Sequence, residues 1–439
     1  MQSVWSAAAD MPRFRPLDKD IKTDVLIIGG GLAGILCAYM LDRRGVRYVL
    51  AERGRICGMT TKNTTAKITS QHGLIYAGLI RRFGIERAGL YLDANETAVK
   101  EYQKLCEGID CDFEMQDSYV YSLSSRAKIE NELSALHRLG YPAEFSDASA
   151  LPFSVRGAVR FKGQAQFNPL KFTAHISKNL NIYEDTAVTE LCGRTAVTNH
   201  GMIKADKIIA ATHFPFINKH GSYFLKLYQN RSYVIGVKNT PNLHGMYIDE
   251  SGKGFSFRNF DGLLLLGGCA HRTGKRSGGW QELEASAKLY YPGAETAFRW
   301  AAQDCMSLDG IPYIGEYSKG TADFYVASGF NKWGITSSMA AAMILTDMVM
   351  GRKNKYAEVF SPSRTMLRPQ LAANALKAVI NLLTFSKRRC PHMGCALKWN
   401  STEHSWDCPC HGSRFEEDGQ MIDNPANGDL KNKGGDHIG

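Results

Sequence analysis

The chain has 439 residues, 44% of them hydrophobic, with 53 Lys and Arg against 43 Asp and Glu and a formal net charge of +10. That length allows two or three domains, and the composition is typical of a soluble globular protein. The positive excess is spread over a generally basic surface and accompanies no nucleic-acid-binding motif, so nucleic acid is not an expected partner.

The opening MQSVWSAAADMPRFRPLDKD lacks the charged-then-apolar order of a signal peptide, which points to the cytoplasm. Seven cysteines scattered without a framework (Cys37, Cys57, Cys106, Cys111, Cys192, Cys269, Cys305) suit a reducing compartment. TDVLIIGG then reads as a strand running into Gly29-x-Gly31-x-x-Gly34 and the helix AGILCAYMLDRRG; a second strand, VRYVLAE, ends on Glu52 and is followed by Arg53. VLIIGGGLAGILCAYML has membrane-like hydropathy, but its glycines mark a strand, turn and helix. No other segment offers about 20 clean apolar residues, so no integral membrane segment is expected.

A lone G-x-G-x-x-G arises easily by chance. Between a strand and a helix, with an acid closing the next strand, it is a dinucleotide fingerprint. Gly29 allows the tight turn, Gly31 admits the pyrophosphate, Gly34 lets helix pack on strand, and Glu52 can bind ribose hydroxyls. Downstream come GMTTKNTTAKITSQHG with Thr60, Thr64 and Thr65; IYEDTAVTEL with Val188; and KADKIIAATHFP with Ala211 and Thr212. The alternating runs RSYVIGVKN, GMYIDE, GFSFRNF and LLLLGG predict an antiparallel sheet. DGIPYIG, with Asp309 and Gly310, precedes FYVASGFNKWGITSSMAAAMILTDMV, a strand, a turn and a helix that include Gly329, Lys332, Trp333, Gly334 and Thr336. No second G-x-G-x-x-G follows a strand, so a separate NAD(P)H site is not expected.

From about 21 to 350 these segments resemble the D-amino-acid oxidase and glycine oxidase superfamily. The resemblance implies FAD, held by the residues just numbered, with the 58–73 segment passing the flavin ring. It implies an α/β fold: a discontinuous Rossmann-like FAD-binding domain (about 21–80, 150–220 and 305–350) with an inserted α+β substrate domain (about 81–149 and 221–304). In amino-acid-oxidising members a typical line reads W-x-G-L-R-P-x-x-x-D-G-x-P-x-I-G, whose Arg grips the substrate carboxylate. Here WAAQDCMSLDGIPYIG keeps Trp300, Asp309, Gly310, Pro312 and Gly315 in register and puts Asp304 at the Arg position. A carboxylate there repels a carboxylate and attracts an amine, so Asp304 is expected to help bind a cationic group, with a surface or helix-capping Asp as the alternative. His271 either faces the flavin or is structural; Arg231, Tyr233 and Arg258 are further pocket candidates. Hydride transfer from a neutral amine requires orientation and electrostatics rather than a dedicated base.

Residues 351–389 read as a helical linker. Its basic, amphipathic end ALKAVINLLTFSKRR suits a membrane surface, although docking the tail on the body is the simpler use. Lys387, Arg388 and Arg389 could steer an acidic electron-transfer partner. Then come Cys390-x-His392 and Cys408-x-x-His411, two thiolates and two imidazoles that suit zinc or a mixed-ligand iron–sulfur centre. A zinc ribbon has no need of Gly394, Pro409, Gly412, Ser413 or the extra Cys395 and Cys410. The whole string resembles the Rieske 2Fe-2S motif of cytochrome bc-type complexes. The resemblance implies cluster ligation by Cys390, His392, Cys408 and His411, a Cys395–Cys410 disulfide clamping the loops, and a Ser413 hydrogen bond to the cluster. Phe415 stands where high-potential members carry Tyr, so the potential is expected below the top of the roughly −150 to +300 mV Rieske range. The domain, 390–439, is shorter than a full Rieske domain and is expected to lean on the body.

Together the two halves imply a converter. FAD accepts two electrons from a small amine, amino acid or related substrate, and the cluster hands them singly to an electron-carrier protein or quinone, making the chain a dehydrogenase rather than an oxidase. Two alternatives stay open: the cluster feeds electrons to FAD for a reductive or oxygenase reaction, or it is a redox sensor or structural staple on an oxidase. Oligomeric state is not legible.

Overall fold

The computed structural model describes residues 2–217, 220–252, 254–276 and 278–430; the last nine residues of the expected Rieske segment lie outside them. The strand Ile21–Ile28 is buried on both faces from Val25 to Ile28, as a central parallel strand must be. It runs parallel to Gly201–Ala210 on one side and Tyr48–Ala51 on the other. The sheet continues to Phe324–Ser328 and Ile182–Tyr183, both parallel. Tyr313–Glu316 and the hairpin Val188–Cys192/Thr195–Thr198 complete eight strands. Helices Leu32–Asp42 and Gly334–Val349 pack on each other beside this sheet. The closest approach is at Gly34, where a Cβ would stand 1.9 Å from the Gly29 carbonyl oxygen, so helix and strand meet backbone to backbone.

A nine-stranded sheet lies beyond, ordered Glu295–Ser307, Leu227–Lys238, Leu263–Arg272, Ser256–Phe260, Met246–Asp249, Glu114–Ser122, Gly157–Gln166 and Lys67–Ile68, with Glu144–Ser146 beside Gly157–Gln166. Its strands are antiparallel except 246–249, which runs parallel to 114–122. Two differences from the expected boundaries follow from pairing. The 157–166 and 67–68 strands, expected in the FAD-binding portion, belong to this sheet. The 295–307 strand runs unbroken through the expected 304/305 boundary because it pairs along its length with 227–238. Strand partners far apart in sequence, not local composition, decide where each portion ends.

The segment expected as a linker is strapped down. Between helices Ala357–Phe360 and Pro369–Leu383, Arg364 binds both oxygens of the Asp309 carboxylate (2.8 and 2.9 Å) and the Pro312 carbonyl (3.0 Å). The 369–383 helix stops before Cys390 rather than running into it. A four-stranded sheet of Lys398–Asn400, Ser405–Asp407, Arg414–Phe415 and Met421–Asp423 carries the cysteine and histidine loops. Among the described residues no helix is long and apolar enough to cross a membrane.

The Gly34 contact yields a test. Gly34→Ala forces the helix off the strand, since the obstructing atom is backbone. The cost is expected at the upper end of the roughly 1–3 kcal/mol of overpacked cores or above it, read as a lower melting temperature and reduced flavin content in the purified protein.

Candidate cofactor sites

Strands 21–28 and 201–210 end side by side, and their mouth opens on a long cleft that also takes in the turns after strands 48–51 and 324–328. The 32–42 helix starts at this mouth from Gly31; Leu32 N donates to Thr61 Oγ1 (3.1 Å), and the positive end of the helix is turned to the cleft, where it favours an anionic group. A Cβ at Gly31 would meet only Thr61 Oγ1, at 3.6 Å, so the glycine keeps the cleft clear where the chain tip and a pyrophosphate would come together. Glu52 closes the turn: its carboxylate accepts from Gly30 N (2.6 Å) and Gly54 N (2.9 Å). Burial pushes the Glu52 carboxyl up, and these two amides pull it back.

Of the other expected cofactor residues, Gly29, Arg53, Thr60, Thr64 and Val188 line the cleft, as do Ala211, Thr212, Gly329, Lys332 and Gly334. Five stand behind the wall instead. Thr65 Oγ1 accepts from Lys67 Nζ (3.1 Å), Trp333 stacks on His72 (4.9 Å) and Thr336 Oγ1 donates to the Thr69 carbonyl (3.0 Å). Asp309 is held by Arg364, and Gly310 follows it in a turn at φ +80°.

Asp304 does face the cleft, beside Ala302, while Gln303 between them points away to the tail. Its carboxylate stands among cationic groups. Burial pushes its carboxyl up, but Lys332, His213 and Arg231 pull it down, and Lys332 is in turn lowered by burial and raised by Asp304. His271 is not at the cleft. Its Nδ1–H donates to the Arg272 carbonyl (3.0 Å), Nε2 accepts from Tyr233 (3.2 Å), and the ring stacks on Tyr233, so it is a satisfied structural histidine. Arg231 likewise turns to the tail. Arg258 is fully buried between Trp5 and Phe260 and donates to the Thr65 and Ala66 carbonyls (both 2.8 Å), fixing the wall from behind.

In the tail, both ligand loops close with the same turn, Gly394 N to Cys390 O and Gly412 N to Cys408 O, each 2.9 Å, with the glycines at φ +76° and +87°. The His392 and His411 rings meet edge to face at 4.9 Å, and His411 Nδ1 is buried with no hydrogen-bond partner. Cys390 and Cys408 are buried, and Ser413 hydrogen-bonds to Cys390. The buried imidazole nitrogen beside these thiols fits a His₂Cys₂ cluster set. The Sγ atoms of Cys395, Cys408 and Cys410 lie within 4.8 Å of one another. Cys395 and Cys410, the pair expected to clamp the two loops, are therefore side by side.

The tail is seated on the body. Glu403 takes Arg231 from the 227–238 strand (Nε–Oε1 2.7 Å) and Arg414 from its own sheet (3.0 Å); Arg414 also holds Asp407 (3.0 Å) and Asp423 (3.3 Å), all in a buried network. Gln303 donates to the Gly412 carbonyl (2.8 Å) and Arg272 to that of Cys410 (3.3 Å). Asn424 donates to the Thr212 and Phe214 carbonyls (2.7 and 3.0 Å). The Phe214 ring lies 6.0 Å from His411 and 6.4 Å from His392. Its neighbour His213 lines the cleft, as do Asp423, Asn424 and Asn427 of the tail. Sequence reasoning missed these four residues and Glu403. His213 stood within the strand-end run KADKIIAATHFP, whereas the tail residues carry no local signal.

A family model described as FAD dependent oxidoreductase matches residues 24–348, and one described as Rieske [2Fe-2S] domain matches 381–433. The chain belongs to the FAD dependent oxidoreductase family. It carries a Rieske domain, and its cofactors are FAD and a 2Fe-2S cluster. It is 34% identical to the Rieske 2Fe-2S iron-sulfur protein YhfW of Bacillus subtilis (strain 168), over 98% of this chain and 97% of that protein. Its fold is similar to that of glycine oxidase from Geobacillus kaustophilus (TM-score 0.67, 19% identity, 79% of this chain and 99% of that one). L-proline dehydrogenase from P. horikoshii is similar to the same degree (TM-score 0.67, 16% identity, 79% and 98%).

The ionic seam can be tested. Burial alone would raise the Glu403 carboxyl, but Arg231 and Arg414 hold it down at about 2. A depressed carboxylate lends its stability in full above the ordinary value of 4.5 and loses it as pH falls through about 2. Tail docking is therefore expected to persist at neutral pH and fail on acidification across that window. Arg231→Met, which leaves Glu403 with a single cation, is expected to cost roughly 3–5 kcal/mol; limited proteolysis then cuts between 384 and 389 in the variant and spares the parent.

Proposed function

We propose that the protein is a dehydrogenase that oxidises a small amine, amino acid or related substrate at FAD and releases the electrons through its Rieske domain to an external carrier protein or quinone. A bound flavin accepts a hydride and a Rieske cluster carries single electrons; everything else falls to the chain. The observation that carries the reading is the segment 211–214: Ala211, Thr212 and His213 line the FAD cleft while Phe214 packs against both ligand histidines. Asn424 clamps this segment to the tail. A tail serving only as a staple has no need to place its histidine edge against the wall of the cleft.

The substrate class is supported by the paired charges at Asp304 and Lys332. An amino acid carries an amine and a carboxylate, and the pair offers a countercharge to each. The names of the two fold neighbours, glycine oxidase and L-proline dehydrogenase, point to the same class. The pair would orient such a substrate without a dedicated base.

The test is anaerobic. Holoprotein is mixed with amines, amino acids and hydroxy acids, and flavin bleaching is followed together with the reduced-Rieske EPR signal. A substrate that bleaches the flavin and then raises the cluster signal is the expected result. Bleaching with a competent cluster left oxidised overturns the outlet. Asp304→Asn is expected to raise KM roughly tenfold or more, the scale of a lost hydrogen bond to a charge, with flavin content unchanged. An unchanged KM removes Asp304 from substrate binding.

A further inference from the structure

The 369–383 helix is built inside out. An amphipathic helix on a globular protein normally turns its apolar stripe inward. Here the residues it buries are Asn374 and Asn381. Asn374 accepts from Arg272 (2.8 Å) and donates to the Leu225 carbonyl (3.1 Å), and the Asn381 carbonyl accepts from Ala396 N (3.0 Å). The opposite face carries Leu376, Val379, Ile380 and Leu383, spaced to form one stripe and exposed by 63, 51, 53 and 80%. Phe385, 91% exposed, extends it, and Met393 of the first ligand loop, 38% exposed, follows where Gly394 approaches Leu382. A contiguous apolar patch of this kind marks an interaction surface.

Charge identifies the occupant. From Pro369 to Thr402 the sequence holds five Lys and Arg and no Asp or Glu. A second copy would bring an identical stripe with identical cations, since a twofold contact matches each patch with itself, and the two would repel. The stripe is aliphatic with no hydrogen-bonding side chain, unlike the mixed polar rim and core of most protein interfaces. Apolar side chains on one face of a helix with Lys and Arg beside them match the boundary of an anionic bilayer. We propose that this helix and the turn through Arg389 dock the protein on an anionic phospholipid surface, with the helix in the plane of the headgroups. The inference is independent of the direction of electron flow.

Flotation of the full-length holoprotein tests it, using vesicles of phosphatidylcholine alone or with roughly 30% phosphatidylglycerol, which supplies the anionic surface. The protein is expected to float with the anionic vesicles, release as salt rises, and stay behind with the neutral ones. Combined Leu376→Ser, Ile380→Ser and Leu383→Ser exchanges touch only exposed positions, so flavin and cluster absorbance should persist while binding falls at least tenfold. Lys387→Gln should weaken binding roughly fivefold. Wild-type protein that ignores anionic vesicles, or a triple variant that floats equally well, overturns the proposal. So does a wild-type dimer that the triple variant converts to monomer, which assigns the stripe to a second copy.

Discussion

Glu403 stands buried between two arginines, one from the large sheet of the body and one from the small sheet of the tail. Isolated buried charges are costly, and a carboxylate flanked by two guanidiniums is stable only while both are in place. That requirement makes the seam specific. The short tail, whose apolar core is small, cannot rotate or slide without stranding a charge in a dry interface. Other contacts between tail and body share this register, among them Gln303 on Gly412, Arg272 on Cys410 and Asn424 on the Thr212 and Phe214 carbonyls.

The register in turn decides what the two cofactors can be to each other. The residues that close the cleft on the tail side are Asp423, Asn424 and Asn427, so the cleft is completed by the Rieske domain. His411 is 3% exposed and faces Phe214 rather than solvent.

What the sequence disclosed and what it hid divide along range. The glycine fingerprint, the closing acid Glu52 and the paired loops bearing Cys390, His392, Cys408 and His411 were legible because each constellation lies within one or two short loops whose spacing is the chemistry. The central strands were legible for the same reason, being continuous apolar runs. Hidden were features set by a partner far along the chain. Lys332 faces Asp304, but one lies in the turn after the 324–328 strand and the other on the 295–307 strand. His271 and Arg231 sit on strands whose alternation gives two faces without saying which meets the tail. The 369–383 helix announced its amphipathic period, but period alone does not say which side is buried, and here the asparagines are.

Three glycines along the seam set how close the two parts come. A Cβ at Gly412 would collide with Gln229 at 2.2 Å, one at Gly274 with Pro409 at 2.7 Å, and one at Gly279 with Thr402 at 2.8 Å. Two of these glycines belong to the body and one to the tail, so neither surface is a generic socket. A cluster domain transplanted from another protein would bring matching ligands and still fail to seat. Body and tail must accept substitutions jointly, as two halves of one surface rather than as a body with an exchangeable cassette.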